Sequence, residues 1–588
     1  MTDNLNAQKV EKVLPYLLLG SGVGYVLFIV CLLSCFHLFT YQNIVDLVQE
    51  QYPHLAKFDE WQRQLFTLQH YRRFQYLSYF IVPVLGIVLY FMIFTSIALN
   101  ACKSLSVSTL KLLRKGWHSW STLENKDQIW LVAVLLGVSL FRAHYFLQTA
   151  ILADDETRSY AWFSSQGWWL SLAHYPEPNN HVLYNLFTVF WLKVGIPDLL
   201  AIRLTSFISL IGILLIGFTL AKQFYSLTAA RYVLLSLGIT FSANLYACQG
   251  RGYLLLSFWA LLALVTLWLW INKKLGTALF VCCCVLGFFT IPTFIFPYLF
   301  FLVISLWKGA KNVLAVKKVI LMHMTIGGLT LLLYLPLLLF SSPSALFANE
   351  YVAKHDYQFL LDNTWLIIEY FNYIVGVPAK AIFFLGVSVS VALILWRKKQ
   401  LHQQTKQMLS SVLLAIGLAI LLVLLQAYYP PHRTFTYLAF WLAIGLALLL
   451  TDLMRTVRLI LTPWRLFLVG GMLLVSLHYW HQSFQAHYLN FMLSNQPFVD
   501  LRTAYLPLRE QQVKTIFSED RYCFPCQHFD KFALLNGNRL RWVDEVNDLL
   551  EADALIITDS TRTIPSQFYL STVVERRYLA PHYIYIKK

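Results

Sequence analysis

The sequence predicts an α-helical polytopic membrane protein, and three observations predict it. Of the 588 residues 58% are hydrophobic and only 13% are charged, about half the charge that a soluble domain carries. Apolar runs close to the roughly 20 residues needed to cross a bilayer recur along the chain. The lysines and arginines are parcelled into short segments between those runs, which is how membrane helices fix their orientation. The net charge of +16 therefore reads as topology, and no nucleic-acid partner is expected. The 18 Trp, 33 Tyr and 43 Phe suit aromatic belts at two membrane interfaces, with membrane lipids as neighbours.

Taken in chain order, the candidate spans are 15–39, 78–100, 129–149, 181–196, 199–221, 231–248, 253–271, 277–291, 294–307, 319–340, 365–396, 410–429, 434–451 and 466–479. The polar start from Met1 to Lys12, followed by an apolar run too long for a signal-peptide core, predicts an anchor and no cleavable signal. Basic segments assign sides. Lys103, Lys111, Arg114, Lys115 and Lys126 mark one cytoplasmic loop. Lys273-Lys274, Lys308 to Lys318, Arg397-Lys398-Lys399 and Arg455 to Arg465 mark others. With these anchors 129–149 runs outward, so Asp154 is outside, and 253–271 runs inward, so Arg251 is outside. An odd number of crossings then separates Asp154 from Lys222. The shorter run, 181–196, is expected to lie in the outer interface. About 13 transmembrane helices follow, with the N-terminus inside and the C-terminus outside.

Three regions are expected. Residues 1–127 form an N-terminal two-helix membrane extension, 128–482 the transmembrane core, and 483–588 a small extracytoplasmic α/β domain. After Ser483 the chain carries 12 basic and 12 acidic residues, the balance of a translocated soluble region. Its expected strands are 513–517, 539–543, 554–558 and 582–586, with a short helix over 546–552. Seven of the nine cysteines sit in or beside apolar segments and read as small buried residues. Cys523 and Cys526 form a CxxC that fits a local disulfide better than a redox or zinc half-site.

The residues able to do chemistry gather at the expected outer boundary. Asp154-Asp155-Glu156 ends the segment 129–153. Crowding and partial desolvation of such a triplet raise a carboxyl pKa toward that of a general base. A divalent cation, Mg²⁺ or Mn²⁺, is the alternative way to neutralise it, with Asp154 and Asp155 as oxygen ligands. The plain reading is a solvated helix end. Trp162, Trp168 and Trp169 fit a surface helix. In the stretch from His174 to Tyr184, Asn180 suits a helix N-cap, and His181 and Tyr184 are candidates to bind a sugar or phosphate. Arg203, Arg251 and Arg433 stand at outer boundaries, where arginine is unexpected. A guanidinium there can grip a phosphate or snorkel to headgroups. The outer loop 341–363, with Glu350, Lys354, His355 and Asp356, is a candidate substrate lid.

In this order the motifs resemble the GT-C superfamily of membrane glycosyltransferases, particularly the protein O-mannosyltransferase and lipid A aminoarabinose transferase family. The matching residues are Asp154-Asp155-Glu156, then Pro178 to Tyr184, Arg251-Gly252-Tyr253, and Pro431-His432-Arg433. The likeness covers about residues 128–482. Asn179-Asn180-His181 stands where the family has Pro-Pro, and Gln249-Gly250 stands where an acidic residue often precedes the arginine. The resemblance implies an inner-membrane enzyme of the bacterial envelope with its active site and C-terminal domain periplasmic. It implies inverting transfer from a polyprenyl-phosphate sugar donor to a hydroxyl on a lipid, protein or glycan acceptor. Asp154, Asp155 and Glu156 would be catalytic, with Arg251, Arg433 and Arg203 at the donor phosphate. Asn180, His181, Tyr184, Tyr253 and His355 would contact substrate. The rival readings are a flippase for a lipid-linked glycan, and a glycan polymerase or ligase. A flippase favours midplane charges and repeated halves, neither of which the sequence offers.

Overall fold

The computed structural model describes residues 2–52, 58–146, 154–310, 313–347, 356–375 and 401–456, together with five strands between 515 and 587. The chain is an α-helical polytopic membrane protein. Among the described residues eight helices are long and apolar enough to cross a membrane, and three shorter apolar helices accompany them.

The N-terminal region supplies α1 (Thr2–Leu38), α2 (Tyr41–Gln51), α3 (Leu68–Phe94) and α4 (Ser96–Ser121). The core follows with α5 (Asn125–Phe146), α6 (Asp154–Trp162), α7 (Trp168–Ala173), α8 (Val182–Lys193), α9 (Asp198–Phe224), α10 (Leu227–Ile239) and α11 (Phe241–Ala247). It continues through α12 (Tyr253–Ile271), α13 (Ala278–Thr290), α14 (Ile295–Gly309), α15 (Val313–Phe347), α16 (Tyr357–Asp362), α17 (Trp365–Val375), α18 (Gln403–Gln426) and α19 (Thr436–Thr456). Helices α12 and α19 are the centre: 72% and 78% of their most apolar windows are buried, against 17% and 11% for α1 and α3. The N-terminal pair is therefore peripheral, with much of its apolar surface left for lipid.

Three expectations need correction. The expected crossing over 231–248 is two helices, α10 and α11, parted at Thr240. The expected loop after residue 100 is helix α4, capped at its start by Thr95. It lies across the ends of α9 and α12: Lys111 Nζ donates to Lys274 O at 3.0 Å, and Gln223 Nε2 donates to Lys115 O at 3.1 Å. Its polar sequence hides a helix because Lys103, Lys111 and Arg114 share the exposed surface with Leu113 and Trp117. The third is a fifth strand. β1 (Thr515–Ser518), β2 (Arg541–Val543), β3 (Ala554–Ile557), β4 (Phe568–Val574) and β5 (His582–Lys587) form one mixed sheet in the order β2-β1-β3-β5-β4. β1 runs parallel to β2 and β3, whereas β5 runs antiparallel to β3 and β4. β4 was not expected; its run of aromatic and β-branched residues pairs with β5 across a register shift between Leu570 and Thr572. The part of the expected span 365–396 beyond residue 375, the span expected at 466–479, the helix at 546–552, and Cys523 and Cys526 lie outside the described residues.

The N-terminal helices have a physical task in the fold. Helix α15 contains Pro336 and Pro343 and is kinked at Ser342, whose φ of 65° is left-handed. Each proline deprives the carbonyl four residues earlier of its N–H partner, and in a membrane such a carbonyl needs another donor. Tyr25 OH donates to Leu332 O at 3.4 Å and to Leu333 O at 3.1 Å. His70 Nε2 donates to Leu339 O at 2.9 Å, and Trp61 Nε1 donates to Phe340 O at 2.6 Å. Stacked rings of Trp61, Phe66 and Phe340 seal this contact. Ser341 then carries the order onward, donating to Ala173 O and accepting from Tyr175 N–H, and so fixes the start of the 174–181 segment. Trp61→Phe keeps the stacked ring and removes the donor. It is expected to destabilise the protein by about 1–3 kcal/mol, the cost of a buried carbonyl without a partner. Thermal unfolding in detergent checks this; an unchanged midpoint would show that water or lipid replaces the indole.

Candidate active site

Helix α6 decides what the acidic triplet becomes. Residues three apart share a helix face, and adjacent residues do not. Asp155 and Arg158 therefore face one way, and both line a cavity of about 600 Å³. Glu156 faces the other way and is fully buried. Asp154 is the first described residue of the helix, and its side chain lies outside the described residues. The expected cluster of three converging carboxylates is thus divided between cavity and core.

Glu156 is held by Arg203 and by a turn. Its Oε1 accepts from Arg203 Nε at 2.8 Å and from Gly250 N–H at 2.6 Å, and its Oε2 accepts from Arg203 Nη2 at 3.2 Å. Both side chains are 0% exposed. The pair joins α6 to α9 and to the turn before α12. Arg203 and Glu156 do not line the cavity, which corrects their expected places at the donor phosphate and among the reacting groups. Gly250 is required by this closeness: a Cβ there would overlap the Ile202 side chain and lie 2.8 Å from Glu156 Oε1.

Asp155 receives the other two arginines. Arg433 Nη1 lies 3.1 Å and Arg251 Nη2 3.4 Å from Asp155 Oδ2. Arg251 is the better anchored, with its side chain 3% exposed. Its Nη1 donates to Asp155 O at 2.9 Å and to Asn179 Oδ1, and Asn179 Nδ2 donates to Asp155 O at 3.1 Å. Arg433 is 35% exposed, and its Nε is a buried donor without a hydrogen-bond partner among the described residues. Both guanidiniums also lie over the Tyr253 ring, 5.7 and 5.8 Å from its centroid. Arg251, helped by Arg433 and Arg158 against the effect of burial, holds the Asp155 carboxyl below the usual carboxylate range. The sequence-based expectation was a raised value. The correction has a simple cause: the nearest neighbours of Asp155 are cations, not its fellow acids.

The stretch from His174 to Tyr184 divides similarly. Asn179, His181 and Glu177 line the cavity. His181 Nδ1 accepts from Gly252 N–H at 2.8 Å. Burial first, then Arg251 and Arg433, push its pKa well below the ordinary histidine value; the ring is neutral, with its proton on Nε2. Asn180 turns inward. Its Nδ2 donates to Ser171 O and His174 O, and its Oδ1 accepts from Asn185 Nδ2, so it braces the loop instead of capping α8 or meeting substrate. Tyr184 is also buried away from the cavity, its hydroxyl bonded to Ile202 O and Ser206 Oγ. Of the expected substrate contacts, His181 and Tyr253 line the cavity, Asn180 and Tyr184 do not, and His355 lies outside the described residues.

Two lining residues had no role assigned from sequence. Arg158 Nη1 and Glu177 Oε2 form a half-buried pair 3.2 Å apart at the cavity wall. The helix spacing from Asp155 to Arg158 was the available signal. From this polar end the cavity extends along Phe288, Ile326, Leu331 and Leu338, an apolar wall contributed by α13 and α15. Among the described residues no group of three His, Cys, Asp or Glu side chains gathers as metal ligands. Two guanidiniums already supply Asp155 with the positive charge that Mg²⁺ or Mn²⁺ would bring.

No protein-family model and no curated protein matches the chain. Among solved structures, it is similar to the crystal structure of ArnT from Cupriavidus metallidurans in the apo state. That likeness has 12% sequence identity and a TM-score of 0.40, and it covers 77% of this chain and 97% of the other.

Proposed function

We infer that the 600 Å³ cavity is the active site of a membrane glycosyltransferase that moves a sugar from a polyprenyl-phosphate donor to an acceptor hydroxyl, with inversion. One observation carries the reading: Arg251 and Arg433 meet a carboxylate at the polar end of a cavity whose other wall is apolar. A lipid-phosphate sugar has the same division of chemistry. The resemblance of the four motifs to the GT-C superfamily supports it. The basic segments favour an outward-facing position for this end of the bundle, and with the resemblance they support a periplasmic active site in a bacterial inner membrane.

In this mechanism the donor's prenyl chain follows Phe288, Ile326 and Leu331, and its phosphate takes over the arginines. Arg433 Nε offers that phosphate an N–H that has no hydrogen-bond partner among the described residues. Losing its cations lifts Asp155 back toward an ordinary carboxylate basicity. The sugar lies beside Asp155, with its anomeric carbon next to the phosphate that the arginines hold. The acceptor oxygen bonds to the anomeric carbon while the carbon–oxygen bond to phosphate breaks. That bond's electron pair leaves with polyprenyl phosphate, and the acceptor proton passes to Asp155. Arg251 and Arg433 stabilise the charge gathering on the leaving phosphate.

Purified protein given a labelled polyprenyl-phosphate sugar and an acceptor extract is expected to consume the donor and release polyprenyl phosphate. A flippase would return the donor intact, and that result would remove the proposal. Arg433→Ala is expected to lower kcat/KM for the donor by about 10²–10³-fold, the range for losing one preorganised charge-stabilising donor.

The pH dependence follows from the two shifts. The Asp155 pKa is lowered, so its carboxylate is charged above the usual range near 4 and titrates only below it. His181 is held well below the ordinary histidine value, so it is neutral at neutral pH. The donor-free enzyme should therefore show kcat/KM that is level from about pH 5.5 to 8, with an acid limb below about 4. By the same sign, the stability gained from the Asp155 pairing is present above about pH 4 and lost as pH falls through the depressed value. An acid limb centred near 6.5 would point to a histidine of ordinary pKa instead of Asp155.

A further inference from the structure

His181 stands at the N-cap position of α8, where its side chain makes no cap hydrogen bond. It reaches instead to the start of α12, and its Nδ1 accepts Gly252 N–H at 2.8 Å. A peptide nitrogen can only donate. Nδ1 therefore keeps its lone pair, and the hydrogen of the ring stands on Nε2. The residue lines the cavity while only 2% exposed. Its surroundings hold the ring in place. Asn180 braces the loop before it, and Asn185 N–H donates to His181 O at 2.9 Å. Gly252 allows the close approach: a Cβ there would lie 3.1 Å from Nδ1. The rings of His181 and Tyr253 meet edge to face, with centroids 5.1 Å apart. Tyr253 is also the ring over which Arg251 and Arg433 lie. The polar end of the cavity thus joins two cations to one donor whose tautomer the backbone fixes.

We propose that His181 is a catalytic residue of the transfer inferred above, a step that rests on that reading: its Nε2–H donates to the oxygen joining the sugar to the phosphate. Place and charge single out this oxygen. The segment runs along the seam between base and phosphate. Asn179 Nδ2 donates to Asp155 O, and Asn179 Oδ1 accepts from Arg251 Nη1. Two residues on, His181 holds the N–H of the residue after Arg251. In the donor, the bond that breaks crosses the same seam. The guanidiniums suit the phosphate oxygens that already carry charge. The joining oxygen carries little until its bond to the anomeric carbon breaks. The electron pair of that bond then stays on it, the acceptor oxygen bonds to the carbon, and the acceptor proton goes to Asp155. A neutral donor aimed at this oxygen holds the intact substrate weakly and the departing charge strongly, so it acts on rate more than on affinity. His181 keeps its own proton throughout, because the phosphate leaves as an anion.

Two substitutions separate the tasks of the two ring nitrogens. His181→Asn puts an amide oxygen where Nδ1 stands, so Gly252 N–H stays paired, but it has no donor at the reach of Nε2. His181→Gln carries an N–H as far as Nε2 and gives up the acceptor at Nδ1. The full-length proteins in detergent are compared for donor turnover, for binding of polyprenyl phosphate and of the intact donor, and for unfolding midpoint. His181→Asn is expected to unfold like wild type and to lose about 10²–10³-fold in kcat. Its affinity for the intact donor changes little, and it binds polyprenyl phosphate more weakly, because that product bears the charge on the oxygen in question. His181→Gln is expected to unfold at a lower midpoint and to recover most of the rate. The proposal is overturned if His181→Asn turns over donor like wild type, which would leave the hold on Gly252 as the ring's task. It is also overturned if His181→Asn binds intact donor weakly and polyprenyl phosphate like wild type, since Nε2–H would then meet a sugar hydroxyl. Either result leaves the glycosyltransferase reading standing. A wild-type protein that consumes no donor removes that reading, and this inference with it.

Discussion

Asp155→Asn is expected to purify as a folded protein and to lose about 10²–10⁴-fold in transfer rate, the usual share of a general base. The substitution keeps the shape of the side chain and removes its charge and its basicity. Folding survives because the best anchored partner, Arg251, retains Asp155 O and Asn179 Oδ1, neither of which changes. The cavity wall of α6 also keeps the pair of Arg158 and Glu177. Asp154→Asn serves as the companion variant, because its carboxylate is one residue away. Steady-state rates at saturating donor, with circular dichroism and donor binding alongside, separate chemistry from folding. Full activity in Asp155→Asn would remove Asp155 from the mechanism, and loss confined to Asp154→Asn would give the proton to Asp154. The arginines should still bind donor in Asp155→Asn: unchanged or improved donor affinity beside a lost rate is the signature of a base.

The long spans were legible because crossing a bilayer demands an uninterrupted apolar run, and that demand is written residue by residue. What escaped were features set by partners. Helix α4 looks like a loop because its lysines advertise solvent, yet Lys274 and Gln223 order it. The break at Thr240 falls inside an apolar run that gives no sign of two helices. In the site, the sequence brought the acidic triplet, Arg251 and Arg433 to one end of the bundle. It did not reveal the helical phase of α6, which sends Asp155 to the cavity and Glu156 to the core. Arg203 illustrates the same limit. A boundary arginine reads equally as a phosphate ligand or as half of a buried pair, and the deciding residue, Glu156, is 47 positions away.

Glu156→Ala should therefore behave opposite to Asp155→Asn: it is expected to cost about 3–5 kcal/mol of stability, the price of stranding a buried guanidinium. The loss spreads, because Glu156 also accepts the Gly250 N–H that precedes Arg251. Releasing that turn loosens the positioning of Arg251 and the Gly252 N–H that fixes His181. Arg203→Ala strands the carboxylate instead and should cost as much. The double variant Glu156→Leu/Arg203→Met removes both charges together, so it should recover much of the stability that either single alanine loses. Unfolding midpoints of the four detergent-purified proteins check the cycle. If Glu156→Ala were as stable as wild type but inactive, Glu156 would belong with the reacting groups after all. If the single variants and the double variant lost stability additively, the two residues would not be acting as a pair. The expected outcome is strong coupling, with the remaining activity of each variant following the fraction of protein that is folded. That would separate the acidic triplet by function: one carboxylate for the proton, and one to hold the turn that carries the arginine.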